Sequence, residues 1–371
     1  MISKKIVVVV GTRPNFIKIT QLEKEFKKFP NAFEYILIHT GQHFDTKMSS
    51  VFFQQLQLKS PEYNLAVKET DRQKKRFEMQ QGIKEVLSKE KPELLIVVGD
   101  VDSTYSAAMA ARELGIKIAH LESGLRSFDN EMPEEVNRIA VDKISDYFFV
   151  TEKSGLVNLK DEGVDDNKVF FVGNTMIDTL VEFDFEIKSN TILKQLNIEK
   201  QEYALITMHR PSNVDSKESL TVILELLQEI SKSLKIVIPI HPRTNIKIQE
   251  FGLNHLIDQN SNIIQLGPID YFAFQNLILN ANVVVTDSGG IQEETTFRKV
   301  PCLTIRDNTE RPSTIEIGTN QLLPLDKEII LSKIDKIKSE TRLESEIPEL
   351  WDGKATQRIV KVLEKLSFIS N

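Results

Sequence analysis

The 371-residue chain has a single cysteine, Cys302, and a single tryptophan. One thiol, set in the apolar run Val300-Pro-Cys-Leu-Thr-Ile305, excludes a disulfide framework and reads as a small core side chain. No apolar run approaches the roughly 20 residues of a membrane span, so no membrane partner is expected. Met1-Ile-Ser-Lys-Lys5 is basic, but Ile6–Val10 is too short for a secretory leader and runs straight into a loop; a cytoplasmic protein is expected. Positive charge is in deficit. The 47 Lys and Arg face 54 Asp and Glu, a net charge of −7, which excludes a nucleic-acid binder that relies on bulk attraction to phosphate. A small anionic ligand is still allowed, because a few arginines in one cleft dominate the local field. The six histidines lack metal-ligand spacing. Val10-Gly-Thr-Arg-Pro-Asn15 carries one glycine where the dinucleotide fingerprint requires three, which argues against a nicotinamide cofactor. Neither a cofactor nor a metal is expected.

What is present is alternation. Short β-branched runs read as strands at Lys5–Val10, Tyr35–His39, Leu94–Val98, Ile116–Leu121, Tyr147–Val150 and Val169–Val172. A second series follows at Tyr203–Met208, Ile236–Ile240, Ile263–Gln265, Val283–Thr286 and Cys302–Ile305. Helical-period segments lie between them, among them Phe16–Lys28, Thr104–Leu114, Pro133–Ser145 and Ile291–Phe297. Near-continuous apolar strands separated by helices mark parallel sheets covered on both faces. Two such series predict an α/β protein of two Rossmann-like, doubly wound domains. An eight-fold barrel is disfavoured by irregular unit lengths and by a pause near Gly173–Asn190, which reads as linker. The charged stretch Lys333–Glu346 reads as a solvated helix face.

Ligands of such sheets sit beyond the carboxyl ends of the strands. Polar groups crowd those ends here: Gly11-Thr-Arg-Pro14, Gly99-Asp100, Glu122-Ser-Gly124, His209-Arg210, His241-Pro-Arg243 and Asp287-Ser-Gly-Gly290. The simplest geometry is one cleft fed by both halves. Ser288, Gly289 and Gly290 open a helix whose free N–H groups attract an anion, typically phosphate; a plain serine-capped turn is the structural alternative. Arg210 and Arg311 add planar cations suited to a diphosphate. Arg13 and Lys18 bring charge from the other half, Arg13 at a helix start that ordinarily favours acids. Asp100, Glu122 and Glu134 could supply a general base and a general acid on opposite sides of a sugar. Arg138, four residues after Glu134, shares its helix face. Asp100-Val-Asp102 also spells a short metal-binding motif, but Asp102 reads as the cap of the helix starting near Ser103. His209 is a candidate for ligand binding or proton transfer, with helix capping as its alternative, and His241 stands at another strand end.

Taken together, these pieces resemble the non-hydrolysing UDP-N-acetylglucosamine 2-epimerases through nearly the whole chain. The motifs are Gly11-Thr-Arg-Pro with Ile17-Lys18, Thr40-Gly-Gln-His43, Gly99-Asp100, His120-Leu-Glu-Ser-Gly-Leu-Arg126, and Met132-Pro-Glu-Glu-Val-Asn-Arg138. They continue with Val172-Gly-Asn-Thr175 and Asp178, His209-Arg210, Asp287–Glu294, Glu310-Arg-Pro312 and Gly318-Thr-Asn320. No single motif is specific, but their order and spacing are. The resemblance implies a glycosyltransferase-B-like fold with residues 1–173 carrying the catalytic carboxylates and 174–353 binding UDP. Residues 354–371 would form a helix packing back on the first domain. It also implies a homodimer and a cofactor-free reaction. UDP departs as the C2 proton is removed, giving 2-acetamidoglucal, and UDP then adds back with protonation from the opposite face. Asp100, Glu122 and Glu134 match the acid/base carboxylates, supported by Arg138 and His209. Arg13, Lys18, Ser288, Gly289, Gly290, Glu294 and Arg311 match contacts to the UDP-sugar. Phe274 matches a contact to the uracil, and Glu294 suits ribose hydroxyls. Gln42, His43 and Arg72 could form a second, activating UDP-sugar site, although Asp45 stands where glutamine is frequent.

The sequence departs from the family pattern at Gly99-Asp-Val-Asp-Ser-Thr104, Ser123, Ile269 and Leu322-Leu-Pro324. These changes leave the candidate acids intact but open the choice of sugar to diacetamido or C6-oxidised UDP-sugars. Three other readings stand beside the epimerase: a hydrolysing relative releasing N-acetylmannosamine and UDP, a transferase of the same fold, and a non-catalytic UDP-sugar sensor. Three candidate acids exceed what a transferase or a sensor requires.

Overall fold

A computed structural model describes residues 3–42, 52–339 and 345–368. The first sheet contains β1 (Lys4–Val10), β2 (Phe33–His39), β3 (Tyr63–Asn64), β4 (Leu94–Val98), β5 (Lys117–Leu121), β6 (Tyr147–Val150) and β7 (Val169–Phe171) in the order β3-β2-β1-β4-β5-β6-β7. The second contains β8 (Tyr203–Thr207), β9 (Lys235–Pro239), β10 (Ile263–Leu266), β11 (Val283–Thr286), β12 (Cys302–Ile305) and β13 (Asn320–Leu323) in the order β10-β9-β8-β11-β12-β13. The pairings are parallel in both sheets. The two doubly wound sheets expected from the apolar runs are therefore present.

Burial explains the continuous apolar runs. Along β8, Ala204 and Ile206 enter one core cluster while Tyr203 and Leu205 enter another on the opposite face. Helices cover both faces, so both sets of alternating positions are mostly apolar. In each sheet the strand order reverses beside its first strand: β1 lies between β2 and β4, and β8 lies between β9 and β11. Connections leave such a pair in opposite directions, opening a crevice beyond its carboxyl ends. Gly11–Arg13 and Gly99-Asp100 follow β1 and β4, while His209-Arg210 and Asp287-Ser288 follow β8 and β11.

Some expectations change. The helix expected over Phe16–Lys28 is two helices, Arg13–Ile19 and Leu22–Phe26, interrupted where Thr20 Oγ1 bonds back to the Phe16 carbonyl at 2.8 Å. Gly173–Asn190 is helical rather than linker. Thr175–Glu182 buries Met176, Ile177 and Leu180, and Asp184–Ser189 follows. The chain divides into two compact units, Met1–Glu182 with Glu349–Asn371 and Phe183–Pro348, so the first crossing falls beyond the 173/174 boundary. Of the charged stretch, residues 333–339 belong to the helix Lys327–Ser339, which buries Ile330 and Ile334 and leaves Lys336 and Lys338 exposed; Ser345 and Glu346 are non-helical, and residues 340–344 lie outside the described set. Cys302 is buried in β12, and burial pushes its thiol up to about 11.

The last helix, Ala355–Lys365, packs on Leu22–Phe26 and Thr175–Glu182 in the first unit. Its start is capped from another element. Asp178 Oδ1 accepts from the Ala355 amide at 3.0 Å, and Oδ2 accepts from the Thr356 amide at 2.6 Å. Asp178→Ala removes both acceptors and should cost about 1–2 kcal/mol, the scale of a lost helix cap. Denaturant unfolding checks the loss. Amide exchange should accelerate over 355–365 and leave 203–323 unchanged.

Candidate active site

In the first unit the turn after β1 is fastened by Asn15. Its Oδ1 accepts from the Gly11 and Thr12 amides, both at 3.2 Å, and its Nδ2 donates to the Val98 carbonyl at 3.1 Å, tying β1 to β4. Lys18 sits in the last turn of a seven-residue helix, buried rather than exposed, with Nζ 2.5 Å from Glu122 Oε2. Glu122 has φ +70°, a left-handed backbone that costs a residue with a Cβ, and such strain concentrates at functional sites. Its Oε1 is buried and has no hydrogen-bond partner among the described residues. Gly99, at φ +66°, lets the β4 turn pass this pair. A Cβ there would lie 3.3 Å from Lys18 Nζ and 3.5 Å from Glu122 Oε2.

Asp100 follows and pairs with Arg138, whose other arm takes Glu135. Arg138, which shares a helix face with Glu134 by spacing, is thus paired with Asp100 and Glu135 instead. Glu135 points inward on the helix Pro133–Asp142, fully buried, and accepts from the Ser127 and Phe128 amides at 3.0 Å. Glu134 is half-buried on the side whose charge acts on Arg72. Asp102 is likewise not the cap expected. It is the first residue of the helix Asp102–Glu113, with Val101 before it, and it receives Arg72 as a fork at 2.9 and 2.7 Å. Burial opposes its ionisation, but Arg72 and the Asn137 amide hold its carboxyl below the ordinary range.

Of the three candidate effector residues, two meet at this helix start. Gln42 Oε1 accepts from the Ser103 amide at 2.9 Å, one residue from the Arg72–Asp102 pair, while His43 lies outside the described residues. Arg13 opens its helix with the guanidinium 5.4 Å over the Phe52 ring.

In the second unit Asp287 organises the β8 and β11 ends. Its Oδ2 accepts from the His209 amide at 2.9 Å, the Arg210 amide at 2.8 Å and Asn213 Nδ2 at 3.1 Å. His209 Nδ1 lies 2.8 Å from Oδ1. Burial alone would raise the Asp287 pKa, but the His209 ring and these amides bring it below the ordinary value. An ionised Asp287 fixes the His209 ring through Nδ1 and leaves Nε2 for other chemistry. His209 is therefore not a cap. His241 is one: it is exposed, its Nδ1 accepts from the Arg243 amide at 3.2 Å, and its ring lies 5.3 Å from that of His209.

Ser288 occupies the N-cap position of the helix Gly289–Arg298, but its hydroxyl makes no capping bond. Gly289 and Gly290 form the first turn. A Cβ at Gly289 would lie 2.8 Å from Arg311 Nη1 and 3.0 Å from Glu310 Oε1, so only glycine admits the arginine against the helix start. Arg311 Nε is 2.9 Å from Glu293, and Nη1 pairs with Glu310, which also holds Arg306 at 3.1 Å. Burial lowers the Arg306 pKa, Glu310 opposes this, and the charges of Arg210 and Arg311 push it further down. Three cations thus share the space beside a helix N-terminus, a field built for an anion. Glu294 is buried, and burial pushes its carboxyl up to about 7; Gln275 opposes the shift and Glu293 adds to it. Phe274 is half-buried on the helix Tyr271–Asn280, which Asp270 caps through the Ala273 amide at 2.9 Å.

Residues 24–364 match the family model for UDP-N-acetylglucosamine 2-epimerase. The chain belongs to that family. It is 41% identical over 364 residues to a UDP-N-acetylglucosamine 2-epimerase homolog of Methanococcus maripaludis, covering 98% of this chain and 100% of the relative. It is 35% identical over 366 residues to the UDP-2,3-diacetamido-2,3-dideoxy-D-glucuronate 2-epimerase of Pseudomonas aeruginosa, covering 98% and 100%. Among solved structures it is similar to the UDP-GlcNAc 2-epimerase of Methanocaldococcus jannaschii in complex with UDP-GlcNAc and UDP. That match has a TM-score of 0.90 and 38% identity over 97% of this chain and 99% of that one. The fold is accordingly the glycosyltransferase-B-like one expected.

Two buried residues of this epimerase-family chain were missing from the candidate set. For Glu135 the available sequence cue is its i,i+3 spacing to Arg138, since such neighbours are as close on a helix as i,i+4 ones. Arg306 directly follows β12, so the strand-end rule that selected Arg210 also reaches it.

Two measurements test this geometry. Gly289→Ala should displace Arg311 and weaken UDP binding by about tenfold or more with the unit still folded, read by titration calorimetry; unchanged affinity would contradict the close approach. Glu294 supplies the second. Between its ordinary 4.5 and about 7 the folded state keeps a proton that the unfolded chain releases, so stability falls as pH rises through that window. Glu294→Gln lacks this loss. Its advantage in unfolding free energy over the wild type should open from near zero below pH 4.5 to on the order of 3 kcal/mol above pH 7.

Proposed function

We propose that the protein is a non-hydrolysing UDP-N-acetylglucosamine 2-epimerase that interconverts UDP-GlcNAc and UDP-ManNAc without a cofactor. Cytoplasmic and homodimeric, it would supply precursors of a surface polysaccharide. The observation that carries the reading is the pair of acids held by buried cations in the first unit. Glu122 lies buried against Lys18, and Asp100, its side chain 21% exposed, lies against Arg138 on the neighbouring strand end. In the forward half-reaction one carboxylate takes the C2 proton, the C1–O bond breaks, and its electron pair leaves with UDP. The product is 2-acetamidoglucal. In the return, UDP oxygen attacks C1 and an acid delivers a proton to the other face of C2. Asp100, Glu122 and Glu134 are the acid/base set, with Arg138 and His209 in support.

In the second unit, Ser288, Gly289, Gly290, Arg210, His241 and Arg311 bind the diphosphate, whose charge grows as C1–O breaks. Glu294 takes the ribose hydroxyls and Phe274 the uracil. Arg13 and Lys18 are the candidate UDP-sugar contacts of the first unit. The likeness to the diacetamido-glucuronate epimerase favours one second reading, a modified UDP-sugar as substrate.

Proton and phosphorus NMR in heavy water, with UDP-GlcNAc and no added metal or nicotinamide, tests the reading. UDP-ManNAc carrying deuterium at C2 is expected. Free ManNAc with UDP would make the protein a hydrolysing relative, and turnover of only a diacetamido-uronate would establish the second reading. Glu122→Gln should lower kcat by about 10²–10⁴-fold, the usual worth of a positioned acid or base.

A further inference from the structure

One buried histidine plays no part in the reaction as written. His120 lies on β5 with a side chain that is 0% exposed. Its Nδ1 is 2.6 Å from Asp142 Oδ1 and its Nε2 is 2.8 Å from the Gly99 carbonyl oxygen. Both partners only accept. A neutral imidazole would aim a lone pair at one of them, so the contacts are satisfied together only when both ring nitrogens carry hydrogen. Asp142 is equipped to face a cation. It reaches His120 from the helix Pro133–Asp142, accepts from the Gly124 amide at 3.1 Å, and meets Arg126 Nη1 at 2.7 Å. Burial opposes its charge, and His120 and Arg126 hold its carboxyl below the usual range. Arg126 is in turn forked onto Glu162 at 2.7 Å.

The other contact reaches the candidate acids. Gly99 immediately precedes Asp100, and a Cβ on its left-handed turn would lie 3.3 Å from Lys18 Nζ and 3.5 Å from Glu122 Oε2. Glu122 is also two residues beyond His120 in the chain. One charged ring therefore grips the turn bearing Asp100 and anchors the strand leading to Glu122. The groups facing it are Asp142 with Arg126 behind, and the Gly99 carbonyl; Lys18 and Glu122 are the charged neighbours of that turn. We propose that His120 is a buried imidazolium and a positioning residue, clamping the Gly99 carbonyl so that Asp100 and Glu122 hold their working geometry. Its catalytic consequence rests on the epimerase reading; its charge state does not.

Two experiments test it. Long-range proton–nitrogen spectra of ligand-free protein carrying ¹⁵N-histidine, with His120 assigned by His120→Gln, should show hydrogen on both ring nitrogens at pH 7. A bare nitrogen at pH 7 would overturn the proposal whether or not the protein turns over. Kinetics supply the second test, with active sites counted by UDP binding. His120→Leu, which has no donor, should lose about a hundredfold in kcat, the scale of a 1 Å misplacement, with KM within about threefold. His120→Gln, which keeps a donor for Gly99, should recover about tenfold of that loss. A merely structural histidine would lower the folded fraction and leave kcat per UDP-binding site unchanged, and that result would overturn the proposal. Should His120→Leu fail to fold, His120→Gln and the spectra decide it. An inactive wild type refutes the epimerase reading alone, since the spectra read His120 independently.

Discussion

A charge taken out of water must be compensated where it is buried, and that requirement shapes both halves of this molecule. Desolvating a carboxylate or a guanidinium costs several kcal/mol unless an opposite charge and hydrogen bonds replace the lost water. Arg138 is 1% exposed and lies between Asp100 and Glu135; Lys18 lies against Glu122; Arg311 lies between Glu293 and Glu310. Pairs of this kind contribute little net stability. What they provide is fixed orientation: a carboxylate held from one side by a cation keeps its position while its other oxygen is left to other partners. Glu122 Oε1, without a hydrogen-bond partner among the described residues and on a strained backbone, is the sharpest case.

The sheets supply the places where such compensation is feasible. At a strand-order reversal the chain ends diverge, and amides and side chains of several strands converge on the space left behind. The same construction serves different chemistry in each unit. After β1 and β4 it gathers acids with their counter-cations. After β8, β11 and β12 it gathers arginines around a helix start, with Asp287 binding the amides of His209 and Arg210 so that both follow the sheet.

How much of this was legible in the sequence depended on whether burial leaves a local trace. Central strands do, because both faces are covered and most positions turn apolar. The edge strands β3 and β13 do not: one is only Tyr63-Asn64, and the other opens with Asn320-Gln321. Asn320 is polar because its side chain bonds Thr304, Gln292 and Thr314, a long-range arrangement that no periodicity reveals. The strand-end rule located most of the chemistry-bearing residues, since it depends on topology rather than on side-chain direction. Direction was where it ran out. Glu135 faces inward and Glu134 does not; Lys18 turns into the interior instead of lying on the surface; Asp102 meets Arg72 rather than capping its own helix. Each outcome was decided by partners distant in sequence.

Positional isotope exchange reads out whether these charges serve cleavage and re-formation of the sugar C1–oxygen bond. UDP-GlcNAc with ¹⁸O in the bridge between C1 and the β-phosphorus is incubated with the enzyme, and the phosphorus spectrum is followed. The account predicts that the label spreads into the non-bridging β-phosphate oxygens as the epimer appears, because released UDP rotates before it adds back. Epimer forming with the label still wholly in the bridge would mean that C2 inverts without loss of UDP, and would contradict it.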